Sequence, residues 1–150
     1  MQQQKNMKIK FNQAETPEVV KKHILPLLKH ATIFLLTGPL GAGKTALVKE
    51  VLRQSGVDDI VNSPTFTYVK TYHNQTNETF HHFDLYRISS ADEFIATGLD
   101  EYLHAAHCYN FIEWPEVIKQ LLNEQSLQSK VVPIALSYDP TDLNSRLIEL

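Results

Sequence analysis

The sequence has little of several features that would each indicate a particular class of protein. It holds a single cysteine, Cys108, which excludes a disulfide within the chain and favours a reducing compartment. No apolar run approaches the roughly 20 residues of a membrane-spanning helix. The net charge is −3, and arginine occurs only at positions 53, 87 and 146. A broad nucleic-acid surface, which needs clustered basic residues, is therefore not expected.

What is present is the composition of an ordinary globular chain, with 43% hydrophobic and 21% charged residues over a length of 150. That length favours a single domain over residues 1–150. Residues 1–6 are polar and contain no apolar stretch, so they do not resemble a signal peptide and we expect them to be disordered. The chain is predicted to be cytoplasmic, without a membrane partner.

One stretch fills every fixed position of the G-x-x-x-x-G-K-[ST] phosphate-binding loop, namely Gly38-Pro39-Leu40-Gly41-Ala42-Gly43-Lys44-Thr45. Residues 31–37 before it are apolar and partly β-branched, which predicts a buried strand. After it, apolar residues recur at helical spacing at Leu47, Val48, Val51 and Leu52. A chance match is the alternative, with Lys44 a solvated charge. The strand, loop and helix context favours nucleotide binding.

Each residue type in this loop serves a separate chemical purpose. Glycines let the backbone turn tightly so that successive N–H groups face phosphate oxygens, and the start of the following helix favours the anion electrostatically. Lys44 is expected to reach the β- and γ-phosphates, and the Thr45 hydroxyl to hold Mg²⁺. The loop thus predicts a phosphorylated nucleotide with its magnesium ion.

The rest of the chain alternates predicted strands and helices. A short edge strand at 7–11 precedes a helix that Pro26 is expected to kink or shorten. Segments 65–72 and 79–85 read as an antiparallel hairpin, and 107–112 as a central strand. We expect a capped helix after Ser90, helix at 116–122, loop at 123–129, and strands at 130–138 and 146–150. This pattern predicts an α/β sandwich around a mixed sheet.

Two acidic residues stand at predicted strand ends, where ligands of such sheets bind. Glu113 ends the strand at 107–112, which is the usual position of an acid that supports Mg²⁺. Asp84 ends the second hairpin strand and could polarise an attacking water. Either acid could instead cap a turn or helix. The segment Ser63-Pro64-Thr65 is typical of a switch that senses the γ-phosphate, with an ordinary turn as the alternative.

Two further features are predicted to be structural. His81 and His82 are adjacent in a strand, so their side chains point to opposite faces and cannot easily share one metal ion. We therefore interpret both as ordinary strand histidines. Trp114 is interpreted as a core residue rather than a contact of the nucleotide.

Four segments together carry a resemblance to a known family. They are the loop at 38–45, Ser63-Pro64-Thr65-Phe66-Thr67, His82-Phe83-Asp84-Leu85-Tyr86-Arg87 and Glu113-Trp114-Pro115. In this order and at these separations they resemble the bacterial TsaE (formerly YjeE) family, the ATPase component of the machinery that makes threonylcarbamoyladenosine next to the tRNA anticodon. The resemblance covers residues 12–115, and the tail beyond matches little.

The resemblance implies a three-layer P-loop NTPase fold with a mostly parallel central sheet and an antiparallel hairpin. It implies ATP and Mg as cofactors, Thr45 and Glu113 as the metal site, and Lys44, Asp84 and Thr65 as catalytic residues. Nucleotide contacts are implied along the loop and beside it, at Thr16, Gly38, Pro39, Leu40, Gly41, Ala42, Gly43, Lys44, Thr45 and Ala46. Pro39 departs from the family, which usually has Asp there, so an acidic surface contact is missing.

The implied partners are TsaD-type and TsaB-type proteins, which transfer the threonylcarbamoyl group and scaffold the transferase. An acidic chain fits a role in which tRNA is contacted at most indirectly or weakly. Two alternatives stay open: a small phosphate-loop kinase and a non-hydrolysing, nucleotide-gated interaction module. The scarcity of arginine disfavours the kinase, whose lid normally carries several. The gated module shares every motif with a slow ATPase.

Overall fold

The computed structural model describes residues 6–64 and 67–150. Over these residues, seven strands form one sheet in the order β1-β7-β6-β2-β5-β4-β3. The strands are β1 Lys8–Asn12, β2 Ile33–Thr37, β3 Val69–His73, β4 Thr79–Asp84, β5 Cys108–Glu113, β6 Val131–Asp139 and β7 Asp142–Glu149. The α/β class predicted from the sequence is confirmed. We expected residues 1–6 to be disordered. Residues 1–5 lie outside the described part, and Asn6 is exposed.

Short helices connect these strands. The α-helices are α1 Thr16–Val19, α2 Lys44–Gln54, α3 Ala91–Ala96, α4 Glu101–His104 and α5 Gln125–Gln128. Single turns of 3-10 helix lie at Gln13–Glu15, Pro115–Ile118 and Leu121–Asn123. Within the described residues, no helix is both long enough and apolar enough to cross a membrane.

The centre of the sheet is parallel and both of its sides are antiparallel. Strands β6, β2, β5 and β4 pair in parallel. The β6–β7, β1–β7 and β3–β4 pairs are antiparallel. Among the described strands three pairings are therefore parallel and three antiparallel, and the expectation of a mostly parallel sheet is wrong. Two of the antiparallel pairings are hairpins, whose connections at 74–78 and 140–141 are too short for a parallel crossover. Strand β1 adds the third along the outer edge of β7.

Apolar side chains cover both faces of the sheet. Because successive strand residues point to opposite faces, β2 and β5 each contribute side chains to both hydrophobic cores. Phe34, Leu36 and Phe111 belong to the cluster packed under α2, with Val48 and Leu52. Ile33, Leu35 and Ile112 belong to the other cluster, with residues of α3 and of the turns after β5. Helical segments thus lie on both sides of a central sheet, and the sheet's carboxyl edge is left for ligands.

Two helical segments differ from a regular α-helix, one as expected and one not. After α1 the chain continues as π-helix Val20–Ile24 and 3-10 helix Leu25–Lys29. Pro26 lacks a backbone N–H and cannot continue α-helical bonding, so the predicted distortion is confirmed. The helix expected at 116–122 is instead two 3-10 turns, and α5 occupies the loop expected at 123–129. Segments this short gain too little from helix propagation to form without help from packing.

The antiparallel hairpin, the central strand and the ends of the phosphate-loop helix agree with the sequence predictions. The first hairpin strand, expected over 65–72, begins only at Val69, because residues 67 and 68 form a bend in which Tyr68 has a φ of 61°. Residues 65 and 66 lie outside the described part. β3 and β4 pair antiparallel in the register Val69↔Phe83 to His73↔Thr79. Helix α2 begins at Lys44 and is followed by Gly56 at φ 91°, a left-handed conformation that suits glycine after a helix. The Ser90 hydroxyl accepts a bond from the Glu93 N–H, which caps α3.

Gly38 is the residue at which the loop leaves β2 most tightly. Its φ is 142°, and a Cβ added there would lie 2.2 Å from the carbonyl oxygen of Leu136 on β6. We expect Gly38→Ala to lower the free energy of unfolding by roughly 2–4 kcal/mol, because backbone strain and overpacking add. Urea denaturation measures this loss.

Gly98 supplies the matched control. It also has a positive φ, 78°, but a Cβ there would meet nothing within 4 Å. Gly98→Ala should therefore cost only about 1 kcal/mol from the left-handed backbone. Equal losses in the two variants would show that the Leu136 contact does not constrain the loop.

Candidate functional site

Three segments meet at the carboxyl edge of the parallel strands. The glycine loop follows β2, Asp84 ends β4 and Glu113 ends β5, with Asp84 and Glu113 directly opposite in register. Strand β2 brings Leu36 beside Glu113. A cleft of about 340 Å³ lies between them, and its lining includes Lys44, Thr45, Ser63, Asp84, Glu113 and Trp114. The predicted convergence of loop and acids is confirmed as geometry.

Lys44 is held inside the loop that it terminates. Its Nζ donates to the carbonyl oxygens of Gly38, at 2.5 Å, and Pro39, at 3.0 Å. The ammonium also lies 4.1 Å from the centroid of the Trp114 ring, a cation–π distance. Burial lowers the pKa of Lys44, while the carboxylates of Glu113, Glu116 and Asp84 act in the opposite direction. A desolvated cation therefore stands where the motif requires a phosphate ligand.

Glu113 accepts hydrogen bonds from two directions. The Thr45 hydroxyl lies 2.9 Å from each of its carboxylate oxygens. His82 Nε2 lies 2.5 Å from Oε2 of the same carboxylate. Glu113 is 3% exposed, so these contacts take the place of water at an acid that ends a central strand. Thr45 and Glu113 are thus joined directly by hydrogen bonds.

Asp84 lies on the outer side of the cleft and is fixed by its neighbours. The Ser63 hydroxyl donates to Oδ2 at 2.9 Å, and the Tyr86 N–H donates to Oδ1 at 3.1 Å. The predicted switch segment and the predicted catalytic acid are therefore in contact. Thr65, the switch residue implied by the resemblance, lies outside the described residues.

A second cavity lies on the other side of the glycine loop. It measures about 330 Å³ and is lined by Phe11, Thr16 and Leu47 together with loop residues 41–43 and Ala46. Leu143 and Arg146 of β7 complete its wall. Thr16, predicted as a nucleotide contact, is thus placed beside the loop. Gln13 and Asn144 also line it, so its walls are mixed, with the apolar side chains Phe11, Leu47 and Leu143 beside polar ones. Apolar surface with a few polar groups, next to a phosphate loop, is compatible with a nucleobase site.

The chain's final hairpin also supports the loop from outside. The Tyr138 hydroxyl on β6 donates to the Leu40 carbonyl oxygen at 2.8 Å. The Arg146 guanidinium lies 4.3 Å from the centroid of the Tyr138 ring. The segment beyond residue 115, to which the sequence assigned no role, therefore contributes to the site.

Sequence reasoning missed two residues of this site. Trp114, interpreted as core, is half-buried at the cleft over Lys44, with Tyr86 at 5.0 Å between ring centroids. His82, interpreted as an ordinary strand histidine, contacts Glu113. The signal for Trp114 was its position next to a strand-end acid. His82 begins one of the four segments that carry the family resemblance, but nothing local indicated its contact with Glu113, which lies 31 residues further along the chain. His81 points to the opposite face of β4, where its Nδ1 lies 2.8 Å from the Thr71 hydroxyl.

The site's donors fit magnesium held together with a nucleotide rather than by protein alone. Within the described residues no group of three or more His, Cys, Asp or Glu side chains could hold a metal ion. Mg²⁺ in nucleotide sites commonly uses one or two protein oxygens, with phosphates and waters supplying the rest. The Thr45 hydroxyl and the Glu113 carboxylate are two such oxygens, 2.9 Å apart.

Comparison with known proteins shows which family this chain is similar to. A family profile described as "Threonylcarbamoyl adenosine biosynthesis protein TsaE" matches residues 11–140. A Rickettsia conorii protein named tRNA threonylcarbamoyladenosine biosynthesis protein TsaE is 34% identical over 141 residues, covering 93% of this chain and 75% of its own. A Bacillus subtilis protein of the same name is 35% identical over 124 residues, covering 83% and 76%. The crystal structure of Bacillus subtilis YdiB aligns with TM-score 0.66 and 26% identity, covering 98% and 86%.

The mixed sheet, with a glycine loop between a central parallel strand and its helix, defines an α/β protein that carries a phosphate-loop motif. Within that class the matches are specific, and the chain belongs to the TsaE family. The resemblance stated from four sequence segments is confirmed. TsaE proteins take part in tRNA threonylcarbamoyladenosine biosynthesis, as the names of these relatives state.

Proposed function

We propose that this chain binds ATP with Mg²⁺, hydrolyses it to ADP and phosphate, and thereby supports the enzyme complex that adds threonylcarbamoyl to adenosine next to the tRNA anticodon. The observation that carries the proposal is the contact of the Thr45 hydroxyl with both oxygens of Glu113. It joins the end of the phosphate-loop motif to a buried acid at the carboxyl edge of the sheet.

Each residue of the site has a separate role in transferring the γ-phosphoryl group to water. Lys44 leaves the Gly38 and Pro39 carbonyls and binds the β- and γ-phosphates, which places positive charge where negative charge develops. Thr45 and Glu113 would hold the magnesium ion, which would supply positive charge to neutralise the phosphates. Asp84 orients the attacking water, and Thr65 belongs to the switch that detects the γ-phosphate. The second cavity, whose lining includes Thr16 and Leu143, is the proposed site for the adenine.

ATP binding and hydrolysis by this chain act on partner proteins. Membership of the TsaE family supports a place in threonylcarbamoyladenosine synthesis, with TsaD-type and TsaB-type proteins as the partners. The net charge of −3 fits a chain that touches tRNA at most weakly and leaves tRNA binding to its partners. A cytoplasmic location stays a prediction.

The two alternative functions make different demands on the same site. In a kinase, several arginines would close over the transferred phosphoryl group, but Arg53 is bound to Glu50 and Arg146 is stacked on Tyr138. Arg87 is exposed and lines a cavity with Asp84, and a single arginine falls short of such a lid. A nucleotide-gated module would bind ATP without using Asp84. Retention of ATP without turnover would favour the module.

Isothermal titration of the purified chain tests the binding part of the proposal. We expect ATP to bind more tightly with Mg²⁺ than with EDTA, since one ion is shared by phosphates, Thr45 and Glu113. GTP is the matched competitor and tests the base pocket. Absence of binding to either nucleotide would contradict the proposal.

A further inference from the structure

None of the roles proposed above involves the buried imidazole of His82, although it contacts the site. The ring is 0% exposed on β4, two residues before Asp84. Its Nε2 lies 2.5 Å from Oε2 of Glu113. A carboxylate carries no donor, so the ring N–H donates this bond. In the described part of the chain His82 does not line the cleft, so it reaches the site only through Glu113.

The environment of the ring argues against a merely space-filling role. Burial of a polar ring costs free energy unless its nitrogens are hydrogen-bonded. Among residues 6–64 and 67–150, Nδ1 of His82 has no partner, and the bond to Glu113 serves the other nitrogen. A leucine would fill the same space without this cost. What the histidine adds is the bond to the carboxylate.

That bond fixes the rotation of the carboxylate. The terminal torsion of a glutamate is broad, so the orientation of its oxygens is set by their partners. Here the partners are His82 and the Thr45 hydroxyl. In the proposed nucleotide complex Thr45 turns toward the ion, and His82 is then the donor left on Glu113.

We propose that His82 is a positioning residue that orients the Glu113 carboxylate for Mg²⁺. The inference rests on the proposed Mg²⁺-dependent ATP binding and assigns a further residue to that site. Hydrogen-bond partners of metal-binding carboxylates and imidazoles typically change metal affinity by about 10–100-fold when removed. His82 therefore controls the magnesium dependence of binding, while contact with the phosphates is left to the loop.

The neighbouring His81 offers a matched control on the same strand. It is 5% exposed and points to the opposite face, where its Nδ1 lies 2.8 Å from the Thr71 hydroxyl. Burial, with a smaller contribution from His73, lowers its pKa to about 4. Replacement of His81 removes a buried, hydrogen-bonded strand imidazole without touching Glu113.

A Mg²⁺ titration of ATP binding, followed by tryptophan fluorescence, tests the proposal. Trp114 is the chain's one tryptophan, and the centroid of its ring lies 4.1 Å from Lys44 Nζ. Its fluorescence therefore reports changes at the loop. We expect His82→Leu to raise the half-saturating Mg²⁺ concentration about 10–100-fold. His82→Gln should restore most of the affinity, because its amide nitrogen stands where Nε2 does. His81→Leu should stay close to wild type, and affinity for ATP in EDTA should be unchanged in every variant.

The outcomes separate this inference from the proposed function. A His82→Leu shift no larger than that of His81→Leu overturns the positioning role and leaves Mg²⁺-dependent binding standing. A wild-type chain whose ATP binding ignores Mg²⁺ overturns both. Should His82→Leu fail to fold, the comparison of His82→Gln with His82→Asn tests the role instead. The asparagine amide stands at the position of Nδ1 and cannot reach Glu113, whereas the glutamine amide can. Equal Mg²⁺ requirements in those two variants would also overturn the role.

Discussion

We expect Lys44→Ala to lower the affinity of the chain for ATP by at least about 100-fold, since hydrogen bonds to a charged group contribute roughly 1.5–3 kcal/mol each. Lys44 is 5% exposed, and its ammonium is held by the Gly38 and Pro39 carbonyls, where we propose that the phosphates bind. A cation that is already largely desolvated gains more from phosphate than an exposed one does. Alanine removes this charge and leaves the fold of the loop to its glycines. Isothermal titration with ATP measures the loss.

Lys49 provides the control for this variant. It lies on the same helix, α2, but is exposed and away from the cleft. Lys49→Ala makes the same change in net charge and should leave ATP affinity near that of the wild type. If both variants lose affinity equally, the loss comes from overall charge, and Lys44 is no phosphate ligand.

The second large effect concerns turnover rather than binding. Glu113→Gln and Asp84→Asn should each lower ATP turnover by about 100-fold or more, because each removes a negative charge that supports the metal or orients the water. The amides keep the shape of both side chains, although each replaces one acceptor oxygen by an NH2 donor. Single-turnover hydrolysis of bound ATP measures this effect without a contribution from binding.

The exposed Glu116 gives a matched comparison for these acids. It follows the same strand and acts on Lys44 through its charge. Glu116→Gln should change turnover little, since it is not part of the Thr45–Glu113 contact. Thermal melting of all three variants separates folding from chemistry. Loss of stability in proportion to loss of turnover would make Glu113 and Asp84 structural residues.

The parts of the site that could be predicted are those with a signal in consecutive residues. The glycine loop, the apolar strand before it and the periodic helix after it lie within one stretch of chain. Asp84 and Glu113 were recognisable because each ends an apolar run, and strand ends of an α/β sheet meet at one edge. Local pattern and tertiary arrangement agree in these elements, so reasoning from residue types was sufficient.

The parts that could not be predicted depend on which strands become neighbours. His82 contacts Glu113 because β4 pairs with β5 in a register that the sequence alone does not reveal. The cavity beside the loop needs Leu143 and Arg146, which reach it only because β7 folds back on β6 across two residues. The same fold-back makes the β6–β7 pairing antiparallel, one of three such pairings among the described strands. Periodicity identifies the elements, whereas topology decides their contacts.

Measured ATP turnover, by the chain alone and with a TsaD-type and TsaB-type pair, tests the central claim most directly. We predict slow, Mg²⁺-dependent release of phosphate from the isolated chain and faster release when both partners are present, with the Lys44→Ala variant inactive in both cases. Hydrolysis that is absent with and without the partners, despite tight ATP binding, would contradict the account and favour a nucleotide-gated interaction module.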